Sequence, residues 1–174
     1  TGVSNLDQFD IDPNSEETGL QTLNLTLDAD LEVNEFRAIG VDAINIVANA
    51  DLFIGEDEDD ALDSDNDGTY TPTLDNVSII GDGDVTIDGL DGGTVDVDGS
   101  AMTGDLALGA DFLGSSSSSV ISGSGDDEIA VYSSLGGDIV TNSGDDLVLV
   151  GEDEGEGAFL GASSVSTGDG DDSV

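Results

Sequence analysis

The chain has no cysteine, no histidine and no tryptophan, and its only basic residue is Arg37. Without cysteine there are no disulfides, no thiolate zinc sites and no thiol nucleophile. Without lysine or histidine the usual general bases are missing, and no serine has a basic partner to activate it. One cation cannot neutralise a run of phosphates, which excludes nucleic acid and anionic membrane surfaces as direct ligands. No apolar run reaches the roughly 20 residues that a spanning helix needs, which excludes direct membrane insertion of that kind. Aromatic side chains are scarce too, with five Phe and two Tyr.

What the chain has in excess is negative charge: 41 acidic residues in 174, for a formal net charge of −40. Charges of one sign repel whenever the chain compacts, so they need neutralisers from outside the sequence. Divalent cations bound at defined turns would concentrate the acids there, whereas a monovalent cloud in a very saline medium would leave them scattered over exposed positions. High net charge usually defeats collapse, but here the apolar residues are gathered rather than diluted. "TLNLTL" (Thr22 to Leu27), "AINIVA" (Ala43 to Ala48), "DVTID" (Asp84 to Asp88) and "TVDVD" (Thr94 to Asp98) alternate with period two between Gly and Asp punctuation. That pattern predicts many short strands joined by tight turns, and no stretch carries a capped helical period.

The repeat emerges when aspartate pairs are aligned. "SGSGDDEIA" (Ser122 to Ala130), "TNSGDDLVL" (Thr141 to Leu149) and "TGDGDDSV" (Thr167 to Val174) share a Gly-rich turn, two aspartates and an apolar strand. A weaker half-repeat, "SSLGGDIV" (Ser133 to Val140), separates the first two. Asp127 and Asp146 are 19 residues apart, the length of one flattened coil with a strand on each side. Stacked coils would bring the "GDD" turns into a column along one edge. The third copy follows a longer connection (151–165), expected to bulge or loop out. The chain opens on Thr1 and stops within a "GDD" unit, which reads as a processed or excised piece of a repetitive protein.

This pattern resembles the repeats-in-toxin β-roll, whose repeat G-G-x-G-x-D-x-U-x forms a right-handed parallel solenoid binding Ca²⁺ in its turns. The resemblance implies that Asp127, Asp146 and Asp172 are side-chain ligands, and that Gly123, Gly125, Gly144, Gly168 and Gly170 permit positive φ and close carbonyl approach. It also implies that Ile129, Val148 and Val174 point inward. Ser122 and Thr141 stand where the pattern has its first glycine, and Asn142 where it has its second. "VDVDGSAMTGDLAL" (Val95 to Leu108), running into the first "GDD" repeat, is similar in phrasing to segments of bacterial surface-layer proteins and large secreted adhesins.

A separate motif lies at "DSDNDGTYTPTLD" (Asp63 to Asp75). Asp63, Asp65 and Asp67 at alternate positions before Gly68 match the first half of an EF-hand-type loop, in which alternate oxygens converge on one hard cation. The Thr69 carbonyl would take the seventh position. Leu74 stands where a bidentate Glu is expected, with Asp75 one place late, so a free-standing calcium loop between strands fits better than a helix-loop-helix unit. The turns "GDGD" (Gly81 to Asp84) and "DGLDGG" (Asp88 to Gly93) read as plain turns.

The expected fold is an all-β, right-handed parallel β-solenoid with irregular coils. Residues 1–19 would form a polar lead-in segment. Residues 20–114 would form irregular coils, solenoid or sandwich-like, with an inserted calcium loop (56–75). Residues 115–174 would form a β-roll, with Gly114 to Val120 as an exposed loop at the joint. The expected function is a non-catalytic, calcium-dependent extracellular scaffold that self-assembles into an oligomer, filament or lattice, with cell-surface polysaccharide as a candidate partner. Three alternatives remain at this stage: a carbohydrate-binding adhesion module, a calcium-dependent polysaccharide-degrading β-helix enzyme relying on paired carboxylates, and a salt-adapted surface protein without specific calcium sites.

Overall fold

The computed structural model describes residues 4–6, 9–11, 22–34, 36–38, 41–55, 62–63, 74–92, 95–112, 118–131, 138–150 and 164–174. Every regular element among them is a strand. The chain begins with β1 (Ser4–Leu6) and β2 (Phe9–Ile11), then β3 (Thr22–Leu27), β4 (Leu31–Val33) and β5 (Phe36–Ala38). It continues through β6 (Ala43–Ala48), β7 (Leu52–Ile54) and β8 (Leu62–Asp63), then β9 (Asn76–Gly81) and β10 (Val85–Gly92). The remaining strands are β11 (Asp96–Met102), β12 (Leu106–Phe112), β13 (Ser119–Ile121), β14 (Glu128–Val131), β15 (Asp138–Val140), β16 (Leu147–Val150) and β17 (Ser164–Ser166).

These strands form two sheets in which all pairings are parallel. One is seven-stranded, in the order β17-β15-β13-β11-β9-β6-β3; the other is ten-stranded, with the path β1-β4-β7-β10-β12-β14-β16 and the branch β2-β5-β8 joining at β10. From β3 onward the chain alternates between the sheets, each coil lying on the one before. Such an arrangement is a β-solenoid, not a sandwich, because sandwich sheets are built largely of antiparallel neighbours. The coil repeat is 21 residues from Asn24 to Asn45, 33 from Asp51 to Asp84, 21 from Asp105 to Asp126, 19 from Asp126 to Asp145 and 26 from Asp145 to Asp171.

Alternation explains the core. In β6 the burial alternates residue by residue, with Ile44, Ile46 and Ala48 inside. Parallel register then stacks like on like: Ile44, Val77, Val97, Val120, Ile139 and Val165 form one inward column of the seven-stranded sheet. In the ten-stranded sheet Val33, Ile54, Ile87, Leu108, Ile129 and Val148 form another. Each such side chain contributes roughly 1.5–3 kcal/mol on burial, so the interior is a pair of apolar ladders running the length of the stack.

Several expectations change. Within the stretch read as a polar lead-in, β1 and β2 pair with β4 and β5. In the serine run, Ser118 is buried, its hydroxyl accepting the Val95 N–H at 3.0 Å, and Ser119 already opens β13. The seven-stranded sheet continues across this joint through β11 and β13. Ile129 and Val148 point inward as expected, but Val174 is 79% exposed, because among the described residues no strand covers it.

Candidate metal centre

From the seven-stranded sheet to the ten-stranded one the chain takes the same short corner in each coil, and this corner collects the aspartates. At its tip lies a ladder of side-chain-to-backbone bonds. The Asp84 N–H donates to Asp51 Oδ1 (3.2 Å), Asp105 N–H to Asp84 Oδ1 (3.0 Å) and Asp126 N–H to Asp105 Oδ1 (2.8 Å). Asp145 N–H donates to Asp126 Oδ1, and Asp171 N–H to Asp145 Oδ1, both at 2.9 Å. Each carboxylate therefore caps an N–H of the coil that follows. Asp84, Asp105, Asp126 and Asp145 recur on both sides of the bond, as acceptor to one coil and donor to another, while Asp51 only accepts and Asp171 only donates.

The sequence reading assigned a ligand role only to the second aspartate of each pair, and the first, Asp126 or Asp145, is exposed. It missed that they are structural, and that Asp84 and Asp105 share the role although Gly81 to Asp84 read as a plain turn. The available signal was the dipeptide Gly-Asp, which recurs at Gly83, Gly104, Gly125, Gly144 and Gly170.

A second aspartate column lies one residue further on and runs the opposite way. Asp127 Oδ1 accepts the Leu106 N–H at 2.8 Å, Asp146 Oδ1 accepts the Asp127 N–H at 3.0 Å, and Asp172 Oδ1 accepts the Asp146 N–H at 3.1 Å. These carboxylates reach back to the preceding coil. Consecutive "GDD" coils are thus clasped by one aspartate pointing forward and one pointing back. Charge-assisted bonds of this kind are worth more than neutral ones.

The inner column is buried because of its register. Preceding the paired residues Ala107, Glu128 and Leu147, the positions Leu106, Asp127 and Asp146 succeed one another in the stack. Leu52 and Val85 hold that position in earlier coils. A column that begins as Leu52, Val85 and Leu106 becomes Asp127 and Asp146, which are 1% and 2% exposed. Ser122 and Thr141, both fully buried, line the same corner.

Inside it, Ser122 Oγ donates to Asp127 Oδ2 at 2.6 Å, completing both oxygens of that carboxylate. Asp146 Oδ2 is buried with no hydrogen-bond partner. Burial raises the Asp127 pKa, against the lowering effect of the Ser122 hydroxyl and the Leu106 N–H; the Asp146 and Asp105 carboxylates raise it further.

The glycines act by close approach. A side chain on Gly123, Gly125, Gly144, Gly168 or Gly170 would run into the carbonyl oxygen of Met102, Gly104, Gly125, Asn142 or Gly144 respectively. Of these five, positive φ occurs at Gly144 (139°) and Gly168 (76°). Asn142 also adopts positive φ, 59°, consistent with its standing at a glycine position of the repeat, and its Nδ2 donates to Ser122 O at 2.6 Å. Asparagine is among the few residues that tolerate this region.

Only the two ends of the DxDxDG stretch fall within the described residues. Asp63 closes β8, in register with Arg37 of β5, which also pairs in register with Asp10 of β2. Asp65, Asp67 and Thr69 lie outside the described residues. Asp75 is exposed just before β9, its N–H donating to Asp42 O at 2.8 Å and its carbonyl accepting from Asp96 N–H at 3.0 Å.

Among the described residues no group of three or more acidic side chains converges as a metal cage. A hard cation at the corner would therefore draw on carboxylates of the inner column together with backbone carbonyls, a donor set that suits Ca²⁺. No protein-family model matches the chain, and no curated protein or solved structure matches it.

Proposed function

We propose that the protein is a calcium-ordered structural module of an extracellular scaffold, without catalytic activity of its own. The observation that carries this reading is the buried, unpartnered Asp146 Oδ2 in a column that is otherwise apolar or hydrogen-bonded. Leaving a buried polar atom unpaired costs about 1–3 kcal/mol, and more for a charge, so a cation at that oxygen offsets a real penalty.

Asp146 and Asp172 are the side chains suited to hold it. The bound ion supplies positive charge inside a corner where carboxylates of successive coils approach one another. The chain's own part is to hold the register: the forward-reaching ladder aligns the coils, and the inner column presents the oxygens. Extracellular modules bind Ca²⁺ with dissociation constants of roughly 10⁻⁴–10⁻³ M, and a tenfold excess of ion stabilises by about 1.4 kcal/mol per independent site. In a chain carrying 40 uncompensated charges, the coils with carboxylates at the inner corner would stay open where calcium is scarce and close outside the cell. Parallel coils that stack on one another suit self-assembly into a filament or lattice.

A second reading, salt adaptation without specific sites, is favoured by acids away from the corner, on the outer face of the seven-stranded sheet. Asp96 accepts from the Ser119 hydroxyl (2.6 Å) and Asp138 from the Ser164 hydroxyl (2.7 Å). Far-UV circular dichroism in chelator, in millimolar Ca²⁺ and in chelator with molar KCl separates the two. Strand signal that is partial in chelator and rises with Ca²⁺ but not with KCl is the expected outcome. Full order in KCl with chelator present would sink the calcium reading.

A further inference from the structure

We infer that successive "GDD" coils are satisfied by different means: the Ser122 hydroxyl replaces a cation at Asp127, and calcium is taken up at Asp146, where the corresponding oxygen has no donor. This rests on the calcium reading above and makes it specific to one coil.

The two aspartates are equivalent in every respect but one. Both point inward, both are at most 2% exposed, and the Oδ1 of each accepts an N–H from the preceding coil. They differ at Oδ2. At Asp127, the Ser122 hydroxyl donates at 2.6 Å; Ser122 Oγ also lies 3.4 Å from Thr141 O, but its single hydrogen goes to the shorter, charge-assisted contact. The next coil carries Thr141 at the corresponding place. Its Oγ1 donates to Thr167 O at 3.3 Å, leaving Asp146 Oδ2 without a partner.

A hydroxyl that donates into a carboxylate and a cation that binds it compete for the same lone pairs. Asp127 is thus already neutralised in part by the chain itself, whereas Asp146 depends on something added. Ser122 also stands where the repeat pattern has glycine, which has no hydroxyl to offer. The Asp127 coil then orders before any ion arrives and serves as the template on which the calcium-dependent coil closes.

Isothermal titration of Ca²⁺ into the full chain, with strand content checked by circular dichroism, tests this on wild type, Asp127→Asn, Asp146→Asn and Ser122→Ala. Asp146→Asn should lose one bound ion or weaken its binding at least tenfold. Asp127→Asn should keep the wild-type stoichiometry with a dissociation constant within twofold. Ser122→Ala, which exposes Asp127 Oδ2 to the same deficit, should gain an ion or tighten binding. Loss of an ion from Asp127→Asn, or a Ser122→Ala titration identical to wild type, overturns the inference, and these two variants decide even where Asp146→Asn does not fold. Wild type that takes up no calcium overturns the calcium reading itself, a result distinct from wild type that binds while Asp127→Asn and Asp146→Asn lose calcium equally.

Discussion

Asp127 occupies a place in the stack that Leu52, Val85 and Leu106 hold in earlier coils, and its chemistry follows from that exchange. Burial moves its pKa upward, the neighbouring Asp146 and Asp105 carboxylates add to the shift, and the Ser122 hydroxyl and Leu106 N–H pull the other way. A carboxyl with a raised folded value binds its proton more tightly folded than unfolded. Its contribution to stability is therefore complete below the ordinary value of 3.8 and is lost as pH rises through the folded value. Asparagine at this site has no proton to lose and keeps an acceptor for the Leu106 N–H. In chelator, Asp127→Asn should gain in melting temperature relative to wild type as pH rises from about 4 to 7. A difference independent of pH across that range would show that the carboxyl is not raised.

At the scale of the element, the corner between sheets is the unit that repeats, and glycine sets how closely two corners approach. Gly144 combines φ of 139° with a Cα lying against the Gly125 carbonyl of the preceding coil. Gly144→Ala should cost about 1–3 kcal/mol from backbone strain alone, with the steric clash in addition; chemical denaturation in saturating Ca²⁺ measures it. A loss below 0.5 kcal/mol would mean that the corner relaxes freely.

Much of this level was legible in the sequence. The alternation in Thr22 to Leu27 and Ala43 to Ala48 corresponds to β3 and β6 residue for residue. The inward Ile129 and Val148 followed from the repeat. What escaped was the older part of the aspartate ladder, Asp51, Asp84 and Asp105. The repeat length changes from 33 to 21 to 19 residues along it, so no single period exposes it. The repeat did pick out Asp127, Asp146 and Asp172, but not that they continue the column of Leu52, Val85 and Leu106, because only register shows that turn aspartates and strand leucines share one face.

For the whole molecule, stability in a solenoid is close to a sum over coils and their interfaces. The inner column of the ten-stranded sheet divides that sum unevenly. Coils with Leu52, Val85 and Leu106 at the corner are apolar at that buried position, whereas those with Asp127 and Asp146 carry buried carboxylates. Hydrogen exchange followed by mass spectrometry in chelator should show protection retained in β6, β9, β10 and β12 and lost first in β16 and β17. Calcium should restore protection selectively in the latter pair. Uniform protection along the chain in chelator would rule out this gradient.

The two edges of the stack are built to different tolerances. Passing from the seven-stranded to the ten-stranded sheet, the chain goes from Leu27 to Leu31, Ala48 to Leu52, Gly81 to Val85 and Met102 to Leu106 by steps of identical length. The later coils take a longer step of their own, from Ile121 to Glu128 and from Val140 to Leu147, but the larger variation falls on the return path, from Ile54 to Asn76, Gly92 to Asp96 and Phe112 to Ser119. In the terms of bookbinding, one edge is a spine and the other a fore-edge. A foreign peptide inserted between Phe112 and Ser118 should leave the circular dichroism spectrum intact, whereas one residue added between Gly104 and Asp105 should break it. The fold is in this sense a rack: a fixed rail of aspartates on one side, and on the other a series of slots whose contents can change without moving the rail.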